Sequence, residues 1–256
     1  MYLEKFSLDG AVGIVTGGGQ GLGRVYCHAL AEAGADIVVA EINRESGGET
    51  AEQVRAMGRR SISVETDVRQ RASVDRMVER TLADFGQIDF LINNAARAQV
   101  GPSADVGEDE WRDILELNLD SVFSCCQAVG RHMIERRSGS IVNIASISGH
   151  VLNRGRSHAS YNVSKAGVIH LTKALACEWA EHNIRVNAIS PGYMATEQAK
   201  RALADPTYGP QVIPWIPMQR PGEPEELGAL AIFLVSAASS YMTGAAVVID
   251  GGYTCW

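Results

Sequence analysis

The 256-residue chain has no excess of basic charge: 23 lysines and arginines stand against 30 aspartates and glutamates, a formal charge of -7. That balance argues against nucleic acid or an anionic membrane surface as partner. There is also no long hydrophobic run. The longest, Leu227 to Ala238, is too short to span a bilayer and is interrupted by Gly228 and Ser236. Met1 to Gly10 mixes charges and holds no apolar segment of the secretory kind. The five cysteines (Cys27, Cys125, Cys126, Cys177 and Cys255) are odd in number and none stands in a Cys-x-x-Cys. Free thiols in a reducing, cytoplasmic setting are the expectation. No cluster of His, Cys and Asp has ligand spacing, so no metal is expected.

Linker-like composition and internal repeats are missing too, which leaves a single domain over residues 1–256. Seven short apolar runs recur: Val12–Val15, Ile37–Ala40, Ile62–Val64, Phe90–Ile92, Ile141–Ile144, Val186–Ile189 and Val247–Ile249. Most do not alternate with polar residues, as expected of strands covered on both faces. Helical patterns separate them, over Gly23–Ala33, Glu45–Met57, Ser73–Phe85, Glu110–Arg136 and Tyr161–Glu181. The alternation predicts an α/β fold: a doubly wound, Rossmann-type sheet of about seven parallel strands with helices on both faces. Residues 193–224 break the rhythm, since six of the eight prolines fall between Pro206 and Pro224. Such a segment is either a structured surface excursion or a lid over a substrate site.

Three features carry chemistry. Thr16-Gly17-Gly18-Gly19-Gln20-Gly21-Leu22-Gly23 follows the first strand and opens a helix, a setting in which backbone N–H groups meet a pyrophosphate. No Gly-Lys-Ser/Thr follows, so it is not a P-loop. Glu41 ends the second strand, where a carboxylate accepts from ribose hydroxyls and repels a 2′-phosphate. This favours NAD; Arg44, which could pair with a phosphate, is the competing signal. Tyr161 and Lys165 lie four residues apart on one helix face, and Ser146 follows the strand upstream. A lysine near a tyrosine is expected to favour the phenolate.

In that order and spacing these motifs resemble the short-chain dehydrogenase/reductase family along nearly the whole chain. Asn93-Asn94-Ala95-Ala96 is similar to the family's Asn-Asn-Ala-Gly, with Ala96 replacing the glycine. Leu117-Asn118-Leu119 matches its helix asparagine, and Pro191 to Thr196 its nicotinamide-carboxamide segment. The resemblance implies a catalytic set of Asn118, Ser146, Tyr161 and Lys165, although Ser148 competes with Ser146 for the serine position. It implies NAD contacts from Gly17, Gln20, Gly21, Leu22, Gly23, Glu41, Asp67, Val68, Asn94, Ala95, Tyr161, Lys165, Pro191, Gly192, Met194 and Thr196. In the family the tyrosine moves the alcohol proton, the serine holds the substrate oxygen, and the lysine binds the nicotinamide ribose. The asparagine holds a water that links the lysine to solvent.

The segment before Tyr161 offers Ser148, His150, Asn153 and Arg154, groups suited either to a polyhydroxylated substrate or to bracing the loop itself. With Ala159-Ser160-Tyr161 and the ending Asp250 to Trp256, it resembles the family's polyol and sugar-alcohol dehydrogenases, galactitol and xylitol dehydrogenases among them. A small-molecule substrate and a homotetramer are implied. A 3-oxoacyl-carrier-protein reductase and a catalytically silent nucleotide-sensing protein are the alternatives.

Overall fold

All seven apolar runs form strands in the computed structural model, which describes residues 1–204 and 208–256, the side chains of Gln198, Arg201 and Ala202 excepted. They are β1 (Val12–Thr16), β2 (Asp36–Glu41), β3 (Ser61–Glu65), β4 (Phe90–Asn93), β5 (Gly139–Ile144), β6 (Ile184–Pro191) and β7 (Ala246–Ile249). All pair in parallel, in the order β3-β2-β1-β4-β5-β6-β7. The chain winds outward from β1 to β3, then crosses back to β4 and winds the other way. A crevice therefore opens at the C-terminal ends of β1 and β4, the place where such sheets bind ligands.

The helices are α1 (Gly21–Glu32), α2 (Arg44–Ala56), α3 (Arg71–Phe85), α4 (Glu108–Leu115), α5 (Ser121–Arg136), α6 (Ala159–Trp179), α7 (Glu197–Leu203), α8 (Gly209–Val212) and α9 (Gly228–Val235). Successive strand residues feed opposite cores. Ile14, Leu91, Ile141 and Val186 pack on one face with Met77, Val129 and Val168. Val15, Ile92, Val142 and Ile189 pack on the other with Leu30, Val54 and Leu234. Two covered faces explain why the runs are continuously apolar.

One expectation needs correction. The predicted helix Glu110–Arg136 is α4 and α5 joined by a π-helical turn, Glu116–Asp120, which contains Asn118. The extra residue in that turn changes which side chains face α6, and π turns of this kind cluster at functional sites. The excursion at 193–224 is tied at its base: Met194 bridges Gly222, and Ala195 N donates to the Gly222 carbonyl at 2.7 Å. Between them, among the described residues, the helices are short, in keeping with the proline density; Pro206 lies outside the described residues. Val212 and Ile216 of the excursion pack on Ile147 and Tyr253, so it covers the C-terminal end of β5.

Candidate active site

The turn after β1 fits a pyrophosphate. A Cβ at Gly23 would lie 2.0 Å from the Gly17 carbonyl oxygen, so only glycine lets α1 seat directly on the turn. Gly21 has φ +52° and nothing within 4 Å of a notional Cβ, which leaves the helix start open to a bulky anion. Gln20 caps α1 without a side-chain hydrogen bond, and the first-turn N–H groups, with half-buried Leu22 among them, are available to the phosphates.

The turn is braced from behind. Arg24 Nε donates to the Gly19 carbonyl at 3.0 Å and to Thr50 Oγ1 at 2.9 Å. Thr16 Oγ1 accepts from Asn94 N at 3.0 Å and Ala95 N at 3.2 Å, while Asn94 Nδ2 donates to the Thr16 and Gly17 carbonyls. Asn94 thus supports the turn through its side chain. Ala96 is not among the non-glycine residues with positive φ, so replacing the family's glycine costs no backbone strain.

Glu41 is buried and its carboxylate is fixed, Oε2 accepting from Gly19 N at 3.0 Å and Oε1 from Asn43 N at 3.1 Å. It sets a negative charge beside the turn; Arg44 stands exposed at the start of α2. Asp67 and buried Val68 follow β3, and Asp67 lines a surface hollow with Ile42, Gln70 and Ser73. Its carboxylate is bound by the Arg69 guanidinium at 3.1 Å, which holds it below the usual carboxylate range. At the other end Pro191 closes β6 and Gly192 N donates to the Ile249 carbonyl at 2.9 Å. Met194 is buried in the bridge to Gly222, and Thr196 Oγ1 accepts from Ala199 N at 3.3 Å, in the first turn of α7.

The structure brings the four catalytic candidates together. Lys165 is buried, its Nζ donating to the Ile144 carbonyl at 2.7 Å and lying 5.7 Å from the centre of the Tyr161 ring. Burial pushes its pKa down to about 8. Burial also pushes the Tyr161 phenol up, with Ser146 and Arg156 opposing part of the rise. Desolvation is the leading cause for both groups. Ser146 Oγ accepts from Ser148 N at 3.1 Å, and its own hydroxyl is hydrogen-bonded to the Tyr161 phenol. Asn118 is fully buried; it accepts from Arg97 N at 2.9 Å and donates to the Arg97 carbonyl at 2.8 Å and Ser164 Oγ at 3.2 Å. It clasps the loop after β4 to α6 next to Lys165.

Of the substrate candidates, two join this centre and two do not. Ser148 Oγ donates to Asn153 Oδ1 at 2.6 Å, and both residues are buried. His150 Nε2 instead meets Ser190 Oγ of β6 at 2.9 Å. Exposed Arg154 lays its guanidinium 3.7 Å from the centre of the Trp215 ring. Sequence reasoning missed His158 and Tyr193. His158 Nε2 lies 3.2 Å from Asn153 Oδ1, and its ring packs on Tyr161; Tyr193 Oη accepts from Asn153 Nδ2 at 3.0 Å. His158 stands three residues before Tyr161, a helical spacing that carried the signal. Among the described residues no group of His, Cys, Asp and Glu could hold a metal ion.

Known proteins resemble this chain over nearly its whole length. A family profile described as Enoyl-(Acyl carrier protein) reductase matches residues 17–254. The chain is 43% identical to a galactitol 2-dehydrogenase of Rhizobium johnstonii, covering 100% of this chain and 99% of that one. It is 41% identical to a 2-dehydro-3-deoxy-D-gluconate 5-dehydrogenase of Escherichia coli, with 99% of each covered. A crystal structure of a gluconate 5-dehydrogenase from Burkholderia cenocepacia, in complex with NADP and tartrate, superposes with a TM-score of 0.95 at 36% identity and covers 100% of both chains.

Proposed function

Since this chain belongs to the short-chain dehydrogenase/reductase family, we propose that it is an NAD-dependent oxidoreductase interconverting a secondary alcohol and a ketone on a sugar alcohol or related sugar. The observation that carries the reading is the convergence of Ser146, Tyr161 and Lys165 at the C-terminal end of β5, beside a turn open to a dinucleotide.

A nicotinamide cofactor, when bound, supplies the hydride acceptor or donor. Gly17 to Gly23 would hold its phosphates, Glu41 and Asp67 its adenosine half, and Pro191 to Thr196 the nicotinamide end. Ser146, which accepts from Ser148 N, donates its proton to the substrate oxygen and fixes that oxygen against Tyr161. Tyr161 takes the alcohol proton in oxidation and returns it in reduction. Lys165, with one of its three donors on the Ile144 carbonyl, has two left for the ribose and for stabilising the phenolate. The excursion at 193–224 would act as the lid that excludes water.

NAD is favoured by the fixed charge of Glu41, which opposes a 2′-phosphate; the relative solved with NADP makes the cofactor the first thing to measure. A homotetramer is favoured by apolar surface: Phe123 on α5 and Val163 on α6 are exposed, and edge strand β7 is only half covered. A cytoplasmic setting is favoured by free, buried Cys27, Cys125 and Cys126. Among the described residues no helix is long and apolar enough to cross a membrane.

The test is a screen of purified protein with NAD and NADP against polyols, sugars, hydroxysteroids and 3-oxoacyl thioesters, run beside Tyr161→Phe. Polyol or sugar turnover with NAD, lost in Tyr161→Phe while NADH binding persists, is expected. Activity confined to NADPH and acyl thioesters would overturn the substrate class.

A further inference from the structure

Four charged side chains of alternating sign run along the edge of the sheet where the cofactor would lie. Arg69 binds Asp67 side-on, Nε to Oδ1 and Nη2 to Oδ2, both at 3.1 Å. Its third guanidinium nitrogen, Nη1, donates to Asp113 Oδ1 at 3.0 Å. Asp113 Oδ2 accepts in turn from Arg97 Nη2. The two arginines come from the loops after β3 and β4, and Asp113 comes from α4. One helix carboxylate thus joins both loops. A lone ion pair this exposed contributes little, but charges fixed by several partners hold one another in place.

Each end of the series reaches a group with a role in the reading above. At one end Asp67 lines the hollow after β3. A carboxylate offers about four lone-pair positions. Arg69 N and Nε occupy those of Oδ1, and Nη2 takes one on Oδ2. The remaining position on Oδ2 can accept from a base amino group, and the guanidinium fixes its direction. At the other end Asn118 grips the Arg97 main chain twice, accepting from its N–H at 2.9 Å and donating to its carbonyl at 2.8 Å. Asn118 also donates to Ser164 Oγ at 3.2 Å, the residue before Lys165.

We propose that Asp113 is a positioning residue: through Arg69 it aims Asp67 at the amino group of the adenine, and through Arg97 it fixes the loop that Asn118 grips. The inference rests on the dehydrogenase reading, with Asp67 at the adenine. A carboxylate held in this way favours a base that donates there and repels one that carries a carbonyl, so the site discriminates adenine from hypoxanthine. Asp113 itself touches neither the base nor the reacting atoms.

The experiment titrates the full-length protein with NADH and with reduced nicotinamide hypoxanthine dinucleotide, followed by nicotinamide fluorescence. Turnover is then measured with both oxidised forms on an alcohol the protein accepts. The 2′-phosphorylated pair takes their place if the protein uses NADP. The wild type is expected to bind the adenine form about tenfold or more tightly. Asp113→Asn, nearly the same shape without the charge, should cut that preference by about threefold. It should also lower kcat by about tenfold with the hypoxanthine form, in which the adenine contact plays no part. Arg69→Gln should reproduce the first change and Arg97→Gln the second. Arg112→Ala, which breaks an exposed pair with Glu108 on the same helix, should produce neither.

A merely structural role for Asp113 would weaken both dinucleotides alike. An unchanged binding ratio in Asp113→Asn, or an unchanged kcat with the hypoxanthine form, overturns the inference. If that variant does not fold, an unchanged ratio in Arg69→Gln overturns it instead. A wild type that binds both forms equally removes the adenine contact and this inference with it, while the dehydrogenase reading stands. One that binds no dinucleotide takes both.

Discussion

His158 lays its imidazole against the ring of Tyr161, the centroids 5.5 Å apart and the planes tilted by 40°. The imidazole is buried, and burial pushes its pKa down to about 4, with the Arg156 guanidinium adding to the fall. In the unfolded chain the same group titrates near its ordinary value, about 6.5. Between those values the unfolded chain binds more protons, so stability falls as pH drops from 6.5 towards 4. About 2 kcal/mol should be lost by pH 5 from this residue. Urea unfolding at pH 7 and pH 5 measures it. His158→Gln keeps an N–H for Asn153 and should flatten the difference; an equal acid loss in that variant would remove His158 as its source.

Lys165 is a buried ammonium with one protein hydrogen bond, a costly group for the fold to hold. Its pKa, lowered to about 8, means a penalty that is constant below pH 8 and disappears as pH rises towards the unfolded value. Lys165→Met should therefore stabilise the protein alone by about 1–2 kcal/mol at pH 7, after the loss of the bond to the Ile144 carbonyl. The gain should shrink from pH 8 to 10 while turnover is abolished at every pH. A less stable Lys165→Met at pH 7 would show that the ammonium is not under strain.

The strands were legible because burial on both faces leaves a continuous apolar run, as in Ile37 to Ala40. Tyr161 and Lys165 were legible because one helical turn relates them. The π turn at Asn118 was not, since Glu116 to Asp120 continues the helical pattern and only packing against α6 shows the extra residue. Proline density announced the loss of long helix in the excursion but could not show the Met194–Gly222 bridge, which joins residues far apart in sequence. Ser148, His150, Asn153 and Arg154 read as one polar group. Their partners divide them, because Ser190, Tyr193 and Trp215 come from β6 and the excursion.

Glu41 should control cofactor choice through charge. Its carboxylate is held by Gly19 N and Asn43 N and cannot swing away from a 2′-phosphate without leaving both N–H groups unpaired. Glu41→Ala removes the repulsion and should raise the ratio of kcat/KM with NADP to that with NAD by about tenfold or more. An unchanged ratio would place the 2′ position of the ribose away from Glu41.

Arg154 and Trp215 join the loop before α6 to the excursion that covers it, the guanidinium 3.7 Å from the indole centre. Trp256 Nε1 donates to the Trp215 carbonyl at 3.2 Å, and Tyr253 Oη accepts from Arg154 N at 3.1 Å, so the C-terminus ties both sides. An exposed cation–π contact is worth about 0.5–1 kcal/mol. Arg154→Ala should therefore leave global unfolding nearly unchanged but speed limited proteolysis of the excursion several-fold. If the excursion is a lid, substrate and cofactor together should suppress that cleavage, and KM should rise more than kcat falls. Cleavage that ignores both ligands would make the excursion a fixed part of the surface.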